Sequence, residues 1–228
     1  MSKVDDLPRP VYVSREPTMT SAFLRTLFAI FAIVTVQATS HAGKYNRTLS
    51  IGDAAPEFSG LLDAEGKAHS LADLKDKEVV VIAFSCNTCP TAVDYEDRVI
   101  ALVKKFGDKC AVVMINSNKV AGDQLADLGE KAKAKKFNFP YIHDDDKQST
   151  AKAYGATFTP EFFVLNKERK VVYMGAFDDK TKPEEVKAEY VAEAVAAALA
   201  GKAPAVTETV ARGCTVRYVR DRTKKKAE

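Results

Sequence analysis

The stretch Val79-Val80-Val81-Ile82-Ala83-Phe84-Ser85-Cys86-Asn87-Thr88-Cys89-Pro90 decides how the rest of the chain is read. Its first six residues are continuously apolar and mostly β-branched, the pattern of a strand buried on both faces. Beyond Pro90, the residues Val93, Val99, Ile100, Leu102, Val103 and Phe106 recur at helical spacing and stop at Gly107, which predicts a helix starting directly after the second cysteine. Toward the N-terminus, 51–58 reads as an entry loop. Gly60 to Leu62 and Lys67 to Ser70, around Asp63-Ala64-Glu65-Gly66, predict a small hairpin. Toward the C-terminus, Ala111 to Ile115 is a second buried strand, and Leu125, Leu128, Ala132 and Phe137 mark a second helix. Tyr141-Ile142 is a short extended piece, and Ser149 to Tyr154 a helical turn stopped by Gly155. Phe162 to Leu165 and Val171 to Met174 flank the polar turn Asn166 to Lys170 and so pair antiparallel. Lys182 to Leu199, with Pro183 near its start and Gly201 after its end, predicts a long final helix. Strands separated by helices need parallel crossovers, and the hairpin adds antiparallel strands. The expected fold class is α/β, a mixed central sheet flanked by helices.

The chain has 228 residues, 46% apolar and 29% charged, the balance of one ordinary globular domain with appendages. Thirty-four Lys and Arg against thirty-one Asp and Glu leave a net charge of +3, too little for a nucleic-acid binder driven by electrostatics. Residues Leu27 to Val36 form a ten-residue greasy run, preceded by Arg25 and followed by Ser40-His41-Ala42. Spanning a bilayer takes about 20 residues, so this is the pattern of a secretory signal peptide cut after Ala42. The competing reading is an uncleaved membrane tether. The lead-in before Met19 carries Pro8, Pro10 and Pro17, which points to Met19 as the true start. The expected organisation is a signal peptide over 1–42, a globular domain over 43–201 and an extended tail over 202–228 with Cys214 and a basic end. The product is expected to be exported, periplasmic or extracytoplasmic, meeting a membrane only if the leader stays attached. Cysteines in such a compartment meet oxidising conditions.

All four cysteines, Cys86, Cys89, Cys110 and Cys214, follow Ala42. Two of them, separated by two residues where a buried strand gives way to a helix, form a specific constellation. A thiolate at a helix N-terminus is stabilised by unpaired backbone N–H groups and by the positive end of the dipole. A lowered pKa makes a thiol both more available and a better leaving group. On this geometry Cys86 attacks a partner disulfide and Cys89, a turn further in, resolves the mixed disulfide. A structural zinc site needs a second ligand pair, yet Cys110, Cys214, His69 and His143 are scattered singly. An inert disulfide closing so small a loop removes little unfolded-state entropy. Further on, Pro160 sits directly before a strand, a poor place for a proline. A cis Thr159-Pro160 bond resolves that conflict; a trans proline at a sheet edge is the alternative.

Strand, C-x-x-C, helix and Thr159-Pro160-Glu161-Phe162-Phe163 together resemble the thioredoxin superfamily. More narrowly, Cys86-Asn87-Thr88-Cys89-Pro90, Ile115-Asn116-Ser117-Asn118, Phe139-Pro140-Tyr141, Ala151-Lys152-Ala153-Tyr154-Gly155 and Gly213-Cys214-Thr215-Val216-Arg217-Tyr218 are similar to the peroxiredoxin-like redoxins of the alkyl hydroperoxide reductase and thiol-specific antioxidant (AhpC/TSA) group. The resemblance implies a thioredoxin-like fold, a redox-active Cys86 and Cys89 pair and a cis-Pro160 facing them. It also implies that Thr159 and Pro160 bind substrate, because backbone beside that proline pairs with a partner's extended chain. The chain departs from true peroxiredoxins, which carry Pro-x-x-x-Thr/Ser-x-x-Cys. Counting back from Cys86 gives Ala83 and Val79, and from Cys89 gives Cys86 and Ile82. Thioredoxin's Trp before the pair is Ser85 here, and the chain has no Trp at all.

Among the remaining candidates, Cys110 opens a strand and reads as buried and inert. Cys214 is a candidate third redox thiol, reaching Cys86 or a partner from the tail. His143-Asp144-Asp145-Asp146 reads as a solvated turn, and Glu161 as merely polar. The expected function is an exported thiol-disulfide oxidoreductase in which Cys86 and Cys89 cycle between dithiol and disulfide with a protein partner, needing no bound cofactor or metal. Two alternatives stand beside it. One is a thiol peroxidase acting on small hydroperoxides. The other is a copper carrier using Cys86, Cys89 and His143, although carriers of this fold place three residues between their cysteines.

Overall fold

The computed structural model describes residues 43–219. The segment read as a signal peptide, with Met19, and the basic run over 220–226 lie outside the described residues. Among those residues no helix is long and apolar enough to cross a membrane. The chain begins with a two-residue hairpin, β1 (Leu61–Leu62) and β2 (Ala68–His69), in antiparallel register. The decisive apolar run forms β3 (Val79–Ser85), every residue of which is buried. From it follow α1 (Pro90–Phe106), β4 (Cys110–Asn116), α2 (Leu125–Lys135), β5 (Tyr141–His143), α3 (Ser149–Tyr154), β6 (Phe158–Thr159), β7 (Glu161–Leu165), β8 (Val171–Gly175), α4 (Tyr190–Leu199) and β9 (Cys214–Thr215).

Five strands make one sheet in the order β5-β4-β3-β7-β8. β3 and β4 pair in parallel, as do β4 and β5, while β7 runs antiparallel to both β3 and β8. This is the mixed α/β sheet that the sequence pattern predicts. Because side chains alternate along a strand, β3 feeds two cores at once. Val79, Val81 and Ala83 pack with Tyr95, Val99 and Leu102 of α1, Leu128 of α2 and Val191 and Val195 of α4. Val80, Ile82 and Phe84 face Ala151 and Tyr154 of α3 together with Leu49, Phe58 and Leu71. A strand in that position must be apolar on both faces, which is why its sequence shows no alternation.

Two expectations are corrected. The final helix begins at Tyr190, not at Lys182, and Pro183–Glu185 makes only a 3-10 turn. The Asp179 carboxylate accepts the backbone N–H groups of Lys187 and Ala188 at 2.9 and 3.1 Å, holding that segment as a loop. Its residues Glu184, Glu185, Lys187 and Glu189 offer no apolar face to a helix. Phe137 lies beyond α2, which ends with Lys136 in the left-handed region at φ 55°, and its ring stacks on Phe139 at 4.7 Å between centroids.

After α4 the chain returns across the domain in extended form. Met174 and Thr209 exchange backbone bonds with neighbouring chain (Met174 N to Thr207 O at 3.0 Å, Thr209 N to Met174 O at 3.1 Å). The tail then adds β9 to β6, in a second small sheet with Thr159 opposite Cys214. Ile82 is fully buried at the centre of this arrangement. Ile82→Ala is expected to cost about 2–5 kcal/mol, the usual range for truncating such a side chain, read as a lowered urea midpoint with an unchanged slope.

Candidate active site

β3 delivers the chain to the site at Ser85, and the four residues Cys86 to Cys89 then turn it into α1. That turn is pinned by a buried carboxylate. Asp123, fully inaccessible, accepts five hydrogen bonds: from Asn87 N (2.7 Å), Thr88 N (3.2 Å), Thr88 Oγ1 (2.6 Å), Asn116 Nδ2 (3.0 Å) and Asn118 Nδ2 (3.2 Å). The Tyr141 hydroxyl adds a bond to Asn87 Oδ1 at 3.0 Å. The helix then starts with Cys89 as its N-cap and Pro90 in its first turn, where the proline's missing N–H costs nothing.

Both sulfurs converge on Thr159. Cys86 Sγ lies 3.3 Å from Thr159 Oγ1, and the Cys89 thiol donates to the Thr159 carbonyl at 3.0 Å. The Thr159-Pro160 bond is cis, the one of the two locally open readings that the family resemblance implies. Glu161 is not merely polar. Its buried carboxylate accepts from Thr157 N at 2.7 Å and Phe158 N at 3.0 Å, fixing the strand that carries Thr159, and burial pushes its pKa above the usual carboxylate range.

The electrostatics correct the sequence reading. The helix N–H expected to stabilise Cys86 points instead at its partner, since Ala92 N donates to Cys89 Sγ at 3.4 Å. Both thiols are buried, the two residues being 2% and 1% accessible. Hydrogen bonding between the thiols splits their titration. The Cys86 S–H, above all, holds Cys89 below the ordinary thiol range, helped by contacts with Cys214, Thr159 and Ala92 N, while burial opposes. Cys86 is pushed up by that same bond and by burial, with the negative Asp123 nearby acting in the same sense.

Cys214, on β9, is exposed and stands directly opposite Thr159 in the β6–β9 register. Thus Cys86, Cys89, Thr159, Pro160 and Cys214 are brought together. Cys110 is not among them. It pairs with Val79 at the far end of β3 from Cys86, and burial raises its pKa to about 12. His143 is engaged elsewhere, with Nδ1 3.3 Å from Lys119 Nζ and Nε2 3.3 Å from the Asn118 carbonyl. Among the described residues no group of three or more His, Cys, Asp or Glu is placed to hold a metal ion. The solvated turn expected at 143–146 is also corrected: Asp144 is buried, and its carboxylate accepts from Thr150 N, Ala151 N and Ser117 Oγ at 2.8–3.2 Å.

Compared with known proteins, the Redoxin family model matches residues 50–192, more than half of the chain. The chain belongs to the redoxin family. Its five-stranded mixed sheet is thioredoxin-like, and membership makes this redoxin an oxidoreductase in the general sense. Among solved structures it is similar to a hypothetical protein from Sinorhizobium meliloti 1021, with 35% identity and a TM-score of 0.70 over 77% of this chain and 98% of that one. It is also similar to an uncharacterized conserved protein from Geobacillus kaustophilus, with 30% identity and a TM-score of 0.69 over 75% and 93%. A thiol:disulfide interchange protein of the thioredoxin family from Chlorobium tepidum TLS matches with 23% identity and a TM-score of 0.47 over 54% and 84%. No curated protein matches the sequence.

Asp123 is the residue of this redoxin that sequence reading misses altogether. Asp123→Ala strands the buried side-chain amide donors of Asn116 and Asn118. At about 1–3 kcal/mol for each buried donor left unpaired, the variant is expected to lose at least 2 kcal/mol, roughly, of folding stability, measured by urea denaturation of both proteins with their thiols reduced.

Proposed function

We propose that this redoxin is an exported thiol-disulfide oxidoreductase whose Cys86 and Cys89 cycle between dithiol and disulfide with a protein partner, with Thr159 and Pro160 bordering the partner's bound chain. The observation that carries this reading is the convergence of both sulfurs on Thr159, with 3.3 and 3.0 Å contacts. On this reading the two thiols, which share that neighbour on one tight turn, pair as one disulfide.

Roles follow from the split titration. The sulfur with the lower pKa leaves more readily, and the more basic sulfur, once deprotonated, attacks more strongly. In the oxidised pair, a partner thiolate attacking Cys86 therefore expels Cys89, whose charge is received by Ala92 N. Running the steps backward, Cys86 attacks a partner disulfide and Cys89 resolves the mixed disulfide. A protein disulfide ranks above a hydroperoxide as substrate because Cys86 lacks the Pro-x-x-x-Thr/Ser lead of peroxide-reactive cysteines and faces the Asp123 charge.

In a dithiothreitol-driven insulin reduction assay, Cys86→Ser is expected to abolish activity, and Cys89→Ser to accumulate mixed disulfides visible on non-reducing gels. Wild-type activity in the Cys86→Ser protein would refute the assignment. Export is supported by the order of Arg25, the apolar run Leu27 to Val36 and Ser40-His41-Ala42. Secreted material is expected to begin at Gly43 on N-terminal sequencing; a start at Met1 or Met19 speaks for a retained tether.

A further inference from the structure

The oxidoreductase reading leaves the third sulfur at the site without a role. β9 is a poor candidate for a loose appendage, because a close backbone approach before it and buried side chains after it hold the tail in place. Gly213 has φ +152°, and a Cβ there would overlap the Thr159 carbonyl, so the chain approaches β6 as closely as only glycine permits. Beyond β9, Val216 N donates to Thr157 O at 3.0 Å. The buried Asn118 and Gln148 side chains bond the backbone at Arg217 and Val219 over 2.8–3.0 Å. The register sets Cys214 directly opposite Thr159, the residue on which Cys86 and Cys89 already converge, and Thr159 Oγ1 lies 3.4 Å from the Cys214 carbonyl.

We infer that Cys214 is a third redox thiol that exchanges with the Cys86–Cys89 disulfide to form a Cys89–Cys214 disulfide. The inference rests on the oxidoreductase reading, which supplies the oxidised pair. In the step, the Cys214 thiolate attacks Cys89 Sγ. The Cys86–Cys89 bond breaks as the Cys89–Cys214 bond forms, and Cys86 leaves as the thiol, taking up the proton that Cys214 gives up, so that the anion disfavoured at Cys86 does not accumulate. No net oxidation occurs, so no further oxidant is needed. The exchange moves half of the disulfide from a pair that is 2% and 1% accessible to a sulfur that is exposed, and it ties β9 covalently over the site. In the back reaction Cys86 attacks Cys89 and Cys214 leaves, taking up a proton from solvent, which keeps the two disulfides in exchange.

The test uses the full chain, oxidised with oxidised dithiothreitol, quenched with acid, alkylated and mapped by mass spectrometry without reduction. Wild type is expected to yield both Cys86–Cys89 and Cys89–Cys214 linked peptides, and Cys110→Ser to yield the same two. Cys214→Ser is expected to lose the second peptide. Gly213→Val, which forces β9 away from Thr159 while keeping all four cysteines in the chain, is expected to deplete the Cys89–Cys214 peptide relative to Cys86–Cys89. Finding Cys86–Cys89 alone in wild type overturns the third-thiol role and leaves the oxidoreductase reading standing. Finding neither linkage overturns both. Equal Cys89–Cys214 yields from wild type and Gly213→Val show that strand docking does not direct the exchange, and that overturns the inference as well.

Discussion

An ionised carboxylate buried in a protein is costly unless its oxygens are well supplied with donors, and Asp123 meets that condition with donors drawn from three places. Asn87 and Thr88 come from the turn after β3, and Asn116 and Asn118 from the end of β4 and the loop beyond it. The carboxylate therefore ties the ends of two adjacent parallel strands to the turn that carries the sulfurs. With the turn fixed, α1 can start only where Cys89 caps it. The disposition of the thiols is thus decided by a residue whose hydrogen bonds go to the turn and not to either sulfur.

That placement has an electrostatic consequence of mixed sign. The negative charge that orders the turn also disfavours a thiolate on Cys86, the nearer sulfur in its influence. The helix end compensates at the other sulfur, where Ala92 N meets Cys89. A symmetric pair would lose both advantages. With one sulfur disfavoured as an anion and the other favoured, the proposed Cys86–Cys89 disulfide would release Cys89 more readily than Cys86 to a thiolate from outside the turn.

Where the sequence speaks clearly, the cause is local. Val79 to Phe84 need no neighbour to announce a doubly buried strand, and Cys89-Pro90 followed by apolar residues at helical spacing announces a helix start. What escapes is set by contacts distant in sequence. Asp123 sits in a Gly-Asp loop whose composition is that of any turn, and its partners lie up to 36 residues away. Asp144 reads as solvated because three acids follow one another, yet it is aimed inward by the α3 backbone N–H groups. The start of α4 is misread because Pro183 is a valid first residue for a helix that the Asp179 carboxylate prevents. Even the helix–thiolate argument, correct in kind, assigns the N–H to the wrong sulfur, since the one-turn offset between Cys86 and Cys89 decides which of them caps the helix.

The tail poses the same problem at longer range. Ala, Pro and Thr after Lys202 signal extended chain, and the chain is extended, but extension says nothing about what it lies against. An exposed strand edge beside two thiols is open to pairing with any extended segment. β6 is such an edge, and here β9 covers it, with Thr159 facing Cys214 rather than a foreign chain. A partner that pairs with the same backbone must therefore displace β9, and with it the bonds from Asn118 and Gln148. On the proposed reading, docking of the tail and docking of a partner chain beside Thr159 would compete for one strand, so the affinity of such a partner would be measured against the chain's own C-terminal segment.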